Sequence, residues 1–135
     1  MLTTSRIRLF LIAILSTSGV LHFLRPGPFV SIVPRSLPRK EEFVAVSGAA
    51  ELVCAGLLAY PAARGLGGPV TAALFAAVFP ANVSMALRSG TRPAWYRAVL
   101  WLRLPLQIPL VLWALRVGRE PAAGGSATGA PQRCT

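Results

Sequence analysis

Five polar side chains stand inside stretches that are otherwise apolar: His22, Glu51, Asn82, Arg103 and Gln107. A guanidinium in hydrocarbon costs roughly 2.5–3.5 kcal/mol near the centre of a spanning helix on insertion scales. It persists there by snorkelling to the interface or by meeting a buried partner. Arg103 lies in an apolar run at 95–117, about two helical turns from its start, which is a long reach for snorkelling. Of the acidic residues Glu41, Glu42, Glu51 and Glu120, only Glu51 lies well inside another apolar run. The expected arrangement is an ion pair between Glu51 and Arg103 within the membrane. Such a pair either fixes the order of the helices or serves to bind a polar headgroup or move a proton.

The other three polar residues also carry two readings each. His22, near a helix end, is an interfacial histidine or a ligand-binding one. Asn82 follows Pro80 closely, where it partners loosened backbone or a ligand. Gln107 is interhelical glue or a further ligand donor. Together the five form a candidate ligand-binding set. The sequence offers no catalytic constellation and no metal site. His22 is the single histidine, so one chain cannot hold a bis-histidine haem. Cys54 and Cys134 form no C-x-x-C pair, and no cluster has zinc-ligand spacing.

Positioning these groups is the work of four helices. Hydrophobic residues make up 54% of the 135 and charged residues only 13%, too little charge to cover a soluble surface. Mean hydropathy is +0.60. The chain therefore reads as an integral membrane protein. Its net charge of +10 comes from arginines and Lys40. They punctuate the apolar runs and form no continuous basic face, so they read as juxtamembrane anchors and not as a nucleic-acid stripe.

Runs at 7–24, 43–60, 70–87 and 95–117 are each long enough to span, and predict an all-α four-helix transmembrane bundle, up-down-up-down, over residues 1–118. Residues 119–135, rich in glycine, alanine, serine and proline, read as a disordered tail. Arg6 and Arg8 before the first run resemble the charged region of a signal peptide. No A-x-A cleavage site follows, and the run is read as the first span. Pro26, Pro28, Pro34 and Pro38 break residues 25–42 into a re-entrant or interfacial segment. Its apolar piece at 29–33 is too short to cross, and lies in the headgroup layer or tucks over the bundle mouth.

Ser47 or Gly48, Glu51 and Ala55 share one face of the second run, where small residues let a neighbour approach. Gly65, Gly67, Gly68 and Pro69 after Arg64 read as a tight turn between the second and third spans. Pro80 frees a carbonyl one turn earlier, near Ala76. Trp95 and Tyr96 open the fourth run as an interfacial belt. At a rise of about 1.5 Å per residue, Glu51 and Arg103 share a depth near 12 Å from the face carrying the first and third connections. His22 and Asn82 fall nearer that face and Gln107 deeper, all in one half of the bilayer.

Four short motifs stand in order, one per helix. They are Gly19-Val20-Leu21-His22-Phe23, Ser47-Gly48-Ala49-Ala50-Glu51, Phe79-Pro80-Ala81-Asn82 and Arg103-Leu104-Pro105-Leu106-Gln107. Over about residues 7–117 this set resembles the DoxX-like family of small bacterial membrane proteins. The resemblance implies a four-helix bundle in the bacterial inner membrane. It also implies that His22, Glu51, Asn82, Arg103 and Gln107 occupy recurrent polar positions. Relatives of that kind are associated with thiosulfate:quinone oxidoreduction and with membrane-bound redox assemblies.

Two functions follow as expectations. The first is a non-catalytic membrane subunit or scaffold of a redox or stress-response assembly, with 25–42 and the tail touching protein partners. The second is a quinone-binding subunit of an oxidoreductase, the quinone being the one cofactor the polar set would suit. Donors at membrane depth would hold its carbonyls, and Glu51 would exchange the proton. A small-solute carrier is less well supported, because four helices show no evident inverted repeat. Such a carrier would need a homo-oligomer to line a path.

Overall fold

The computed structural model describes residues 2–31, 33 and 35–121. Five helices follow one another: α1 (Thr4–Leu24), a short α2 (Pro26–Val30), α3 (Lys40–Ala59), α4 (Arg64–Leu87) and α5 (Ala94–Gly118). Turns of 3-10 helix at Pro61–Ala63 and Ser89–Thr91 join α3 to α4 and α4 to α5. Local chemistry sets several of the ends. Thr3 Oγ1 accepts the Arg6 N–H at 3.4 Å, capping the start of α1. Pro26 disfavours helical backbone at Arg25, where α1 stops. Arg39, with φ of 57°, turns the chain sharply into α3. The Glu41 and Glu42 carboxylates then sit in the first turn of α3, where the helix dipole favours them.

Helices α1, α3 and α5, and α4 together with the turn before it, are 21, 20, 25 and 27 residues long and apolar enough to cross a membrane. Their outward faces carry Leu9, Phe10, Val46, Val53, Leu66, Leu102, Ile108 and Leu112, all exposed. A bundle in water would place polar residues there. With its long helices satisfying most of their backbone groups internally and apolar side chains outside, the bundle is built for lipid.

α1 packs closely on α3 and α4 on α5, and these two antiparallel pairs meet along α3–α4 and α1–α5. α3 and α5 therefore stand at opposite corners. On α1, Ile7, Leu11, Leu15, Gly19 and His22 are buried at spacings of three and four, which keeps them on one inward stripe. Ile7, Leu11 and Leu15 join Cys54, Ala55, Leu58, Ala72, Phe75, Ala114 and Val117 in one apolar core. That core fills the end of the bundle where α1 and α4 begin and α3 and α5 finish. An ion pair of 2.7 Å between Arg8 Nη1 and Glu120 Oε2 clips the same end. The expected tail lies mostly outside the described residues, but Glu120, at its start, is held in this pair.

The turn expected at 64–69 lies elsewhere. Tyr60 to Ala63 reverse the chain, and Arg64 to Pro69 already belong to α4. Glycine clusters mark tight turns and also close helix contacts, and here the second use applies. A methyl on Gly67 would stand 2.9 Å from Leu57 Cβ, and one on Gly68 only 2.6 Å from the Ala114 carbonyl oxygen. The backbones of α3, α4 and α5 converge at these two residues.

Candidate functional site

The opposite end of the bundle is not filled. A cavity of about 450 Å³ opens there between the two helix pairs, within the usual size range for small-molecule sites. α1 contributes Ser18 and His22, and α3 contributes Ser47 and Glu51. Asn82 and Ser84 come from α4 and Arg103 from α5. Phe29, Val33 and Leu37 of the proline-rich segment cover it, so that segment tucks over the bundle mouth. Four of the five expected polar residues therefore meet at one space.

A glycine crossing sets the geometry of His22 and Glu51. A methyl on Gly48 would lie 2.6 Å from His22 Cβ, and one on Gly19 would lie 2.8 Å from Leu52 Cγ. With no side chains between them, α1 and α3 approach closely at this crossing, and the His22 ring, reaching back toward Ser18, comes up to Glu51. His22 Nδ1 lies 2.8 Å from the Ser18 carbonyl oxygen and 3.4 Å from Glu51 Oε2. A carbonyl only accepts, so Nδ1 carries a hydrogen and aims it at Ser18. Among the described residues, Glu51 Oε2 is left enclosed and without a hydrogen-bond partner. Phe29 stacks on the His22 ring, with centroids 3.8 Å apart and planes 23° apart. His22 also borders a second groove of about 490 Å³, formed with Pro26, Val30, Ser31 and Glu41.

Two expectations change here. The Glu51–Arg103 ion pair is not formed: among the described residues the carboxylates pair as Arg8–Glu120, His22–Glu51 and Arg39–Glu42. Arg103 is exposed and borders the cavity from α5, on the corner diagonal to α3. Both side chains line the cavity, one from each of the two opposite corners. Gln107 also leaves the candidate ligand set. It is buried and donates its amide N–H to the Phe75 carbonyl of α4, one residue before the carbonyl that Pro80 was expected to free. Cys54, 1% exposed, is a packing residue of the core.

Ser18, Ser84 and Met85 were not singled out in the sequence, and Phe29 only as the start of the apolar piece at 29–33. For Ser18 a signal existed, since a histidine four residues on in a helix reaches its carbonyl. For Phe29 the signal was the apolar piece between prolines. Ser84 and Met85 carried none.

The profile of a protein family described as "Domain of unknown function (DUF8561)" matches residues 11–118. The chain belongs to that family. The match takes in α2, α3, α4 and α5 whole and α1 from Leu11 onward, so every polar residue of the cavity lies within the DUF8561 domain. No curated protein and no solved structure matches the chain.

Proposed function

We propose that the chain is a membrane protein that binds a small, membrane-dissolved molecule with a polar head. One observation carries this reading: each of the four spanning helices sends a polar side chain to a single, mostly apolar cavity. His22, Glu51, Asn82 and Arg103 have no common reason to meet at hydrocarbon depth except to address something polar there. Structural needs are met elsewhere in the bundle, by the apolar core, by Gln107 and by the Arg8–Glu120 clip.

The class of molecule we favour is a quinone-type compound, in a DoxX-like subunit of a redox assembly in a bacterial cell membrane. The four ordered motifs support that placement, and Asn82 and Arg103 are donors of the kind a ring carbonyl needs. In this reading the protein binds and positions its ligand, and an associated subunit performs electron transfer. The scaffold reading keeps the same membrane partner and lacks the ligand.

The test is extraction of the protein from its native membrane, followed by chromatography of the organic phase and titration of the emptied protein with a short-chain quinone. A near-stoichiometric bound molecule, lost in Glu51→Ala and Arg103→Ala variants, is expected. An empty extract with no binding on addition removes the ligand reading. Reproducible co-purification of partner proteins without a ligand would install the scaffold reading in its place.

A further inference from the structure

The unmade ion pair between Glu51 and Arg103 says what kind of polar head the cavity takes. Among the described residues Glu51 Oε2 is enclosed and accepts no hydrogen bond: His22 stands 3.4 Å away, but its Nδ1–H is aimed at the Ser18 carbonyl. A buried acceptor left in that state calls for a hydrogen-bond donor. Across the space, Arg103 borders the cavity, and among the described residues no carboxylate lies within ion-pair distance of it. A guanidinium has five N–H donors and no acceptor, so it calls for a hydrogen-bond acceptor. The helices carrying the two groups stand at opposite corners, and the two side chains are not within ion-pair distance. The wall between is largely apolar, with Phe29, Val33, Leu37 and Met85.

We infer that the ligand bridges this gap: it donates a hydroxyl hydrogen to Glu51 and accepts from Arg103 through a carbonyl at the other end of an apolar or aromatic body. The inference rests on the cavity being a ligand site. It narrows that site to neutral hydroxy-carbonyl amphiphiles. An acceptor-only molecule leaves Glu51 orphaned, a lipophilic cation leaves Arg103 without an acceptor, and a fatty acid sets a second carboxylate facing Glu51. Among quinone-type compounds the preferred form is the one that still carries a hydroxyl.

Three probes that share a tail separate these cases. Heptyl para-hydroxybenzoate has donor and acceptor at opposite ends of one ring. Heptyl para-methoxybenzoate keeps the carbonyl and loses the donor. Para-heptylphenol keeps the hydroxyl and loses the ester. Titration calorimetry of the purified full chain in detergent, with empty micelles subtracted, gives the three affinities. The hydroxy-ester is expected to bind tightest, with each of the other two about tenfold weaker, the loss of one charge-assisted hydrogen bond. In Glu51→Met, which has no carboxylate oxygen to accept from the ligand, the preference for hydroxyl over methoxy should vanish. In Arg103→Met the preference for the ester should vanish. The wild-type comparison stands even where a variant does not fold. If the methoxy ester binds as tightly as the hydroxy-ester, Glu51 supplies its own proton and the bridging inference is overturned while the cavity reading stands. If none of the three binds above empty micelles, the cavity reading itself fails.

Discussion

Gly68 of α4 lies against Gly118 of α5, backbone to backbone. A methyl on Gly68 would collide with Gly118 Cα and N and with the Ala114 carbonyl, and a methyl on Gly118 would come within 3.0 Å of Gly68 Cα. The contact sits in the filled end of the bundle, beside Ala114 and Val117. The colliding atoms are main chain and cannot swing aside, so Gly68→Ala must separate two helices. It should destabilise the fold by about 1–3 kcal/mol. Gly56→Ala is the control. Its new methyl meets nothing within 4 Å, and the gain in helix propensity should leave stability unchanged or raised by about 0.5–1 kcal/mol. Denaturation in mixed micelles, followed by circular dichroism, compares the two.

Gln107→Leu removes the amide that serves the Phe75 carbonyl beneath Pro80. Leucine fits the volume but leaves that acceptor without its partner, at a cost of about 1–2 kcal/mol by the same unfolding assay. The variant should keep the affinity of the cavity for the hydroxy-ester probe, because Gln107 does not border it. A large loss of binding at unchanged stability would return Gln107 to the ligand set.

Phe29→Ala takes the cover off His22. Losing the stacked pair should lower stability by only about 0.5–1.5 kcal/mol. Access to the cavity should rise instead, which modification of Glu51 by an apolar carbodiimide would report as a faster rate. A Glu51→Gln protein serves as the unreacted blank. An unchanged rate would mean that the proline-rich segment does not limit entry.

Arg8 and Glu120 bring the first and last turns of the bundle together. Their side chains are 18% and 23% exposed, so solvent screens the pair only in part. A double-mutant cycle with Arg8→Ala and Glu120→Ala should give a coupling of about 0.5–1 kcal/mol. Added salt should shrink it. Additive single losses would show that the pair holds nothing together.

The sequence allowed depth to be read but not direction around the bundle. Rise per residue placed His22, Glu51, Asn82, Arg103 and Gln107 in one half of the bilayer, and the cavity gathers all of these but Gln107. Whether Glu51 and Arg103 touch depends on which helices are neighbours, and hydropathy is nearly the same on every side of a lipid-facing helix. The diagonal placement of α3 and α5 was therefore invisible. Gly67 and Gly68 were read as a turn because the same residues serve turns and crossings, and only the partner helix distinguishes the two uses. The Arg8–Glu120 contact was within reach. An even number of spans returns the chain to its starting side, and Glu120 is the one acid just past the last of them.

The bundle is dense at one end and hollow at the other, which gives it the mechanics of tongs riveted at the base. Leu11, Leu58, Ala114 and Val117 make the rivet. In such an arrangement the tips of the two helix pairs are the part expected to yield first, since the interior packing lies at the other end. Backbone amides near His22 and Asn82 should accordingly exchange faster than those near Leu58 and Ala114, and slow when the tips have something to grip.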